Sequence, residues 1–504
     1  MISAPVPGLG ALGLALAAAL LPQDPGEPTP AGLVQAAEGA TDGYTLFAPL
    51  RSTTTYLIDL QGEVVHRWES EYPPGNAVYL LGDGRLLRAC RVPDSPVLHG
   101  AGSGGRLQEH APDGALTWDY SCASEAMLQH HDVEPLPNGN VLLVAWERRS
   151  RAEAIAAGRD PDEVGEEGLW PDFLAEVEPL RPAGGRVVWE WHAWDHLVQD
   201  RDPSKDHYGD VTAHPELIDV NADHRREPPL SEAERRRREE LEREMRALGY
   251  LGDGGGEGDA PDRRRGRPPG ADWLHVNSVD YHPGLDLVLL SVRALNEIWV
   301  IDHSTTTAEA AGHAGGRHGR GGDLLYRWGN PATYGHGERA DRRLFLQHDA
   351  TWVPGPGPGA LHVLVFNNGV GGAGPGSRPW SSVDELALPY APGRGFARAE
   401  AAAFGPAGLA WSYAAPERES FFAPFVSGAQ RLPNGNTLIA SGVEGRLFEV
   451  SPAGELLWDY RNPFGAEADP GGGRGPVAPG GLFRATRLPA DHPGIAALLQ
   501  SSRR

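Results

Sequence analysis

Short runs in which apolar and polar residues alternate, broken by glycine turns, recur along the whole chain and predict strands rather than helices. Six blocks pair a glycine-marked turn with a strand that begins or ends at tryptophan: residues 62–68, 114–118, 185–189, 322–328, 408–411 and 454–458. After each block a new inner strand starts, as in His131-Asp-Val-Glu-Pro-Leu-Pro before Asn138-Gly139, or Ser427-Gly-Ala-Gln-Arg-Leu-Pro before Asn434-Gly435. Asn-Gly between apolar stretches marks a hairpin because both turn residues accept positive φ. The same frame recurs at Asn76, Asn277, His348 and Phe483, which makes six inner strands. Spaced self-similarity with one aromatic mark per unit favours a β-propeller over a solenoid.

The expected fold is therefore all-β, a six-bladed β-propeller over residues 41–500. The last blade, from Phe483, lacks its outer strands, whereas residues 53–59 and the Trp68 block lack an inner one. Ring closure shared by N- and C-terminal strands satisfies both and removes exposed edges. Two insertions interrupt the pattern. Residues 192–272 carry a charged helix with an N-cap at Ser231, then a Gly/Asp/Arg-rich tract that reads as disordered and solvated. Residues 367–380 read as a long Gly/Pro-rich loop.

Composition narrows the function. With 66 Gly, 45 Pro and 14 Trp in 504 residues, the chain suits short strands and tight turns. A formal net charge of −23 argues against nucleic acid as a partner, since that requires a basic face. The apolar run at residues 9–21 matches the core of a signal peptide and is short for a membrane span. That predicts a signal peptide over 1–23, a linker over 24–40, and export to the periplasm or extracellular space without stable membrane insertion. Cys90 and Cys122 are the only cysteines, and sequence leaves their pairing open, as it does a homodimer.

Residues that open the inner strands of a propeller converge on its axis. Here they are Asn76, His131, Asn277, His348, Ser427 and Phe483, and strand alternation puts His275 on the face of Asn277. With the blade-four turn centred at Gly284, antiparallel pairing sets Arg293 opposite His275. The same arithmetic sets Glu147 near His131, and Asn367 or Asn368 near His348. A purely structural role would repeat one residue type at equivalent positions, and the variety here favours a site. Asp132 and Asp349 point the other way and are expected to brace neighbouring strands. Imidazoles with Arg and Asn suit an oxyanion such as sulfate or phosphate, and an imidazole crowded by cations keeps a lone pair that can attack sulfur or phosphorus. Three histidines can also hold a metal, but Arg293 in the same shell would repel it, so no metal and no cofactor is expected.

At these residues the chain resembles the arylsulfate sulfotransferase family. The resemblance covers most of residues 40–490 and rests on Gly43-Tyr-Thr-Leu-Phe-Ala-Pro, His130-His131-Asp132, His275-Val-Asn277-Ser, Ser291-Val-Arg293, Gln347-His348-Asp349 and Ser427-Gly-Ala-Gln430-Arg-Leu-Pro. It implies an exported six-bladed propeller that moves a sulfuryl group from a phenolic sulfate donor to a phenolic acceptor without a nucleotide. It further implies a sulfohistidine at His348, with His131, His275, Asn277 and Arg293 around the sulfuryl and bridging oxygens. Ser427 matches a small polar substrate-binding position of the family. Which of His131 and His275 is the general acid–base stays open, and the alternative reading is a noncatalytic propeller that binds an anionic or sulfated ligand or a protein partner.

Overall fold

The computed structural model describes residues 31–93, 98–222, 236, 270–355, 357, 359–371, 377–465 and 480–501. The expected signal peptide and the charged stretch from Ser231 lie outside these residues. Six antiparallel sheets, five of four strands and one of five, form the blades of a six-bladed β-propeller. Blade 1 is closed as expected: its inner strand is Leu482–Leu488, paired to Tyr44–Pro49, followed by Thr54–Ile58 and Val64–Glu69. Blades 2 to 5 have inner strands Pro74–Leu80, Met127–Pro135, Val276–His282 and His348–Pro354, and blade 6 has Gly428–Arg431.

The closure is double. Gly32–Ala36, in the stretch expected as a linker, instead pairs antiparallel with Leu456–Arg461 as a fifth, outermost strand of blade 6. N- and C-terminal segments thus each complete a blade that belongs mainly to the other end, and a sheet edge is covered at the same time.

The tryptophan blocks have a concrete job. Each outer strand carries an indole whose N–H donates into the next blade around the ring, usually to the turn between that blade's third and fourth strands. The donors and acceptors are Trp68 to Ala111 O (3.2 Å), Trp118 to Gly184 O (2.7 Å), Trp191 to Gly322 O (2.7 Å), Trp328 to Pro406 O (2.9 Å), Trp411 to Pro452 O (2.9 Å) and Trp458 to Leu60 O (2.8 Å). A large apolar body fills the space between blades while one polar atom reaches a turn carbonyl, which is why tryptophan recurs here. Only at the junction of blades 3 and 4 does the indole come from Trp191, two residues beyond the block's own Trp189, which donates to Thr305 Oγ1 instead.

The 192–272 insertion is not solvated throughout. Leu197–Val198 pairs in parallel with Ile218–Asp219, and Leu197, Val198, Val211, Ile218 and Val220 are buried, several of them in the core shared by blades 3 and 4. Its apolar residues sit too far apart for the periodic patterns that betray a strand or helix, so the sequence reads as loop. Cys90 and Cys122 are both buried free thiols. Among the described residues no helix is long and apolar enough to cross a membrane.

Candidate functional site

The inner strands do not run as regular pleats into the channel mouth. Non-glycine residues take positive φ there: Asn76 (84°), His131 (51°), His275 (54°), Asp349 (53°) and Ser427 (83°). Register slips accompany them, between Leu143 and Ala145 opposite His130–Asp132, between Val276 and Ser278, and between His348 and Thr351. Each such residue costs on the order of 1–3 kcal/mol, and strain of this kind gathers at functional sites because bulges re-aim side chains. At His131 the backbone lies against Gly102, whose added Cβ would fall 2.2 Å from His131 Cε1. No other residue fits at 102 without moving that ring.

Three histidines from three blades meet here. The rings of His131 and His275 stand edge to face with centroids 4.6 Å apart. Phe483 of blade 1 lies 6.2 Å from His131 and 6.4 Å from His348, forming an apolar wall with Ala101, Phe425 and Val426. Arg293 donates its backbone N–H to His275 O at 3.3 Å, which is the pairing the hairpin arithmetic predicts. Burial, followed by the positive charge of Arg293, holds His348 well below the usual imidazole range. His131 is also held well below it, by burial first and then by His275, His130, His348 and Arg293. Both rings are therefore neutral near pH 7.

The proton positions on His348 follow from its neighbour. Asn368 donates its amide N–H groups to Ala423 O (2.7 Å) and Val426 O (2.9 Å), so its Oδ1 can only accept. That oxygen lies 2.7 Å from His348 Nδ1. The neutral ring must then carry its proton on Nδ1, and Nε2 keeps the lone pair. Among the described residues no hydrogen bond engages His348 Nε2.

A carboxylate orients the His275 ring, and a second carboxyl lies near the His130–His131 pair without an aligned hydrogen bond to it. His275 Nδ1 sits 2.5 Å from Asp272 Oδ2, and Asp272 Oδ1 accepts the Trp146 indole N–H at 3.1 Å. Burial opposes ionisation of Asp272, but His275 outweighs it and the net shift is downward, so the pair is Asp carboxylate and Nδ1–H imidazole. His131 Nδ1 lies 2.8 Å from His130 Nδ1, and His130 Nε2 lies 3.0 Å from Asp172 Oδ1. Burial pushes His130 down to about 3 and pushes the Asp172 carboxyl well up. Trp146 stacks on His130 at 4.0 Å.

Beneath the histidines lies a layer of buried charge. Asp132 Oδ2 accepts Val279 N–H of the next blade and Asp349 Oδ2 accepts Ala429 N–H of the blade after its own, so both brace neighbouring strands as expected. Arg484 of blade 1 joins them across the axis, at 2.8 Å from Asp132 Oδ2 and 3.0 Å from Asp349 Oδ1, and also binds the Tyr79 hydroxyl.

Other expected positions fall differently. Asn277, expected by alternation on the face of His275, is buried and donates to Gln347 O at 2.8 Å, fixing the backbone one residue before His348. The slip between Val276 and Ser278 breaks the alternation on which that expectation rests. The Ser427 hydroxyl accepts Gly442 N–H at 3.0 Å and donates to Phe425 O at 3.3 Å, within blade 6. Glu147 pairs opposite Met127 and contacts Arg149 and His192: the turn sets Val141 opposite Pro135, two residues off the counted register, and the slip between Leu143 and Ala145 adds two more. Sequence reasoning misses Asp272, His130, Asp172 and Arg484 as site residues, although Asp272 stands three before His275 and His130 adjoins His131 along the chain.

A family model described as Arylsulfotransferase (ASST) matches residues 35–382, more than half of the chain, and that span includes His131, Asp272, His275, Arg293, His348 and Asn368. No curated protein matches the chain. Among solved structures, a protein of unknown function from Bacteroides caccae has 11% identity and a TM-score of 0.41, covering 88% of this chain and 98% of that one. The periplasmic gluconolactonase of Pseudomonas aeruginosa has 10% identity, a TM-score of 0.36 and coverages of 84% and 97%. Virginiamycin B lyase from Staphylococcus aureus has 7% identity, a TM-score of 0.34 and coverages of 86% and 88%. Likenesses this distant carry no argument about activity.

Proposed function

This chain belongs to the arylsulfotransferase family, and we propose that it moves a sulfuryl group from a phenolic sulfate ester to a phenolic acceptor through a sulfohistidine at His348. The observation that carries this reading is the fixed tautomer: Asn368 Oδ1 accepts from His348 Nδ1 at 2.7 Å and leaves Nε2 as the lone-pair nitrogen of a neutral ring. Nε2 attacks sulfur, the N–S bond forms, and the bond from sulfur to the aryl oxygen breaks with its electron pair leaving on oxygen. The sulfurylated ring retains its Nδ1 proton on Asn368.

Charge growing on the leaving oxygen needs a donor placed beforehand, and such donors act more strongly in a site that excludes water. Arg293 supplies a permanent cation beside the sulfuryl oxygens. His131, kept neutral by burial and by its cationic neighbours and standing edge to face against His275, can offer a ring N–H to the same oxygens. His275 is the acid–base: the Asp272 carboxylate orients its ring and offsets the positive charge of the imidazolium, so it can give a proton to the departing aryl oxide and take one from the incoming phenol. The second half-reaction reverses the first, and His348 leaves as a neutral imidazole. Asn277 serves here as a positioning residue for His348.

Steady-state release of p-nitrophenol from p-nitrophenyl sulfate, with phenol varied, tests the reading. Phenol-stimulated release with parallel double-reciprocal lines supports a ping-pong transfer. Anion binding without release from any phenolic sulfate contradicts it and leaves a binding propeller.

A further inference from the structure

Away from the axis, the junction of blades 3 and 4 holds a second cluster. His196 of the 193–222 segment and His313 and Asp323 of the loop between Asp302 and Tyr326 offer one ligand atom each, all within 4.8 Å of one another. His196 Nδ1 lies 2.9 Å and His313 Nδ1 lies 2.7 Å from the same Asp323 oxygen. His196 is fully buried and Asp323 nearly so, whereas His313 is exposed. We propose that His196, His313 and Asp323 bind one divalent transition-metal ion, zinc in the first instance, and that the ion fastens blade 4 to the segment that follows blade 3.

The tautomer argument again decides which atoms are available. His196 Nε2 lies 2.9 Å from Ala310 O, which can only accept, so Nε2 carries a proton and Nδ1 presents its lone pair toward Asp323 and His313. A ring whose far nitrogen donates to a backbone carbonyl is the arrangement that orients metal-binding histidines. Two imidazoles and a carboxylate suit zinc, whose ligand atoms lie about 3.3 Å apart around a tetrahedral centre, close to the separations here. The exposed side at His313 leaves an entry path and room for water as a fourth ligand.

The surroundings hold the buried ligand in place. Trp191 stacks on His196 at 5.8 Å with an interplanar angle of 9° and donates to Gly322 O, one residue before Asp323. A Cβ on Gly322 would lie 2.6 Å from His196 Nε2 and 2.0 Å from Ala310 O, so only glycine lets the two segments meet this closely. The loop itself has little apolar material to order it: between Asp302 and Tyr326 the buried apolar side chains are Ala310, Leu324 and Leu325. A metal supplies the cross-link that a small core cannot. The rival account is a doubly protonated His196 paired to Asp323, which would need no ion.

The full-length protein, purified without chelator, is analysed for metal and then titrated with Co²⁺ after chelation, using the visible absorption of the bound ion. The proposal predicts one equivalent of zinc per chain, a Co²⁺ spectrum that zinc abolishes, and a melting temperature lowered by chelator and restored by zinc. His313→Ala, on the exposed side, should weaken Co²⁺ binding by at least the roughly 10–100-fold that loss of a mere supporting partner costs. Sulfuryl transfer by that variant stays at the wild-type rate. Absence of metal after purification, together with no saturable Co²⁺ spectrum in the wild-type chain, overturns the site and leaves the protonated pair. A Co²⁺ spectrum unchanged by both His313→Ala and Asp323→Asn overturns it equally.

Discussion

Replacing Asn368 with Asp keeps the Nδ1–H tautomer of His348 and tests whether the neutral state of its ring controls the chemistry. The wild-type amide accepts from His348 Nδ1–H at 2.7 Å and donates to Ala423 O and Val426 O. A carboxylate at that place puts a negative charge beside the ring, and an opposite charge at this range raises an imidazole pKa by about 1–3 pH units. The wild-type ring is held well below 6.5 by burial and then by Arg293, so it stays neutral into mildly acidic solution. A rise of about two pH units cuts the neutral fraction about a hundredfold at any pH below both values, and the attack slows in proportion. The variant also loses both donors to buried carbonyls, which costs about 1–3 kcal/mol for each unmet group. Single-turnover release of p-nitrophenol followed across the acidic and neutral range separates the two effects. The acid limb of the variant should move upward, with much of the rate recovered at alkaline pH. A profile that overlays the wild type after correction for folded protein would refute the claim that the neutral His348 ring is the nucleophile.

The same geometry gives three further outcomes. Arg484→Met leaves Asp132 and Asp349 buried without their cation and should cost about 3–5 kcal/mol, seen as an earlier guanidinium midpoint. An unchanged midpoint would mean that the charge layer does not hold the ring together. Gly102→Ala forces a Cβ to within 2.2–2.4 Å of the His131 ring and puts alanine at φ 76°, so it should lower both kcat/KM and the melting temperature; full activity of the folded variant would show that His131 need not sit where it does. His348 and His131 have folded pKa values below the unfolded 6.5, so the stability they contribute is present above pH 6.5 and is lost as pH falls toward their folded values. Chemical denaturation of wild type and His131→Asn at pH 5 and pH 8 reads this directly: the variant should lose less stability on acidification.

Much of this fold is legible because the repeating tryptophan and Asn-Gly marks answer to strong local physics. Trp68, Trp118, Trp328, Trp411 and Trp458 each fasten one blade to the next, and Asn434-Gly435 turns the hairpin of blade 6. Counting back from one turn places Arg293 beside His275, and it succeeds because the one-residue slip between Val276 and Ser278 offsets a turn that itself sets Tyr281 opposite Val288. Counting fails where turn and bulge both shift the register the same way, as they do for Glu147, which lies opposite Met127 instead of His131. A one-residue bulge reverses the face of every later residue in the strand and leaves no mark in composition. Arg484 escapes for another reason, since Asp132 is brought near it only by ring closure, whereas Asp272 lies just three residues before His275 and is passed over as the end of an insertion. Gly32–Ala36 is short, with Gln35 its one polar side chain, and its strand state comes from the edge of blade 6 rather than from its own pattern.

The central claim is a covalent N–S bond at His348. Rapid quenching of the protein with p-nitrophenyl sulfate in the absence of acceptor, under alkaline conditions that preserve phosphoramidate-like bonds, followed by intact-mass and peptide analysis, tests it most directly. The account predicts one added sulfuryl group per chain, located on His348, lost on addition of phenol and absent from His348→Asn. Turnover with no adduct on His348, or an adduct that persists in His348→Asn, would contradict it.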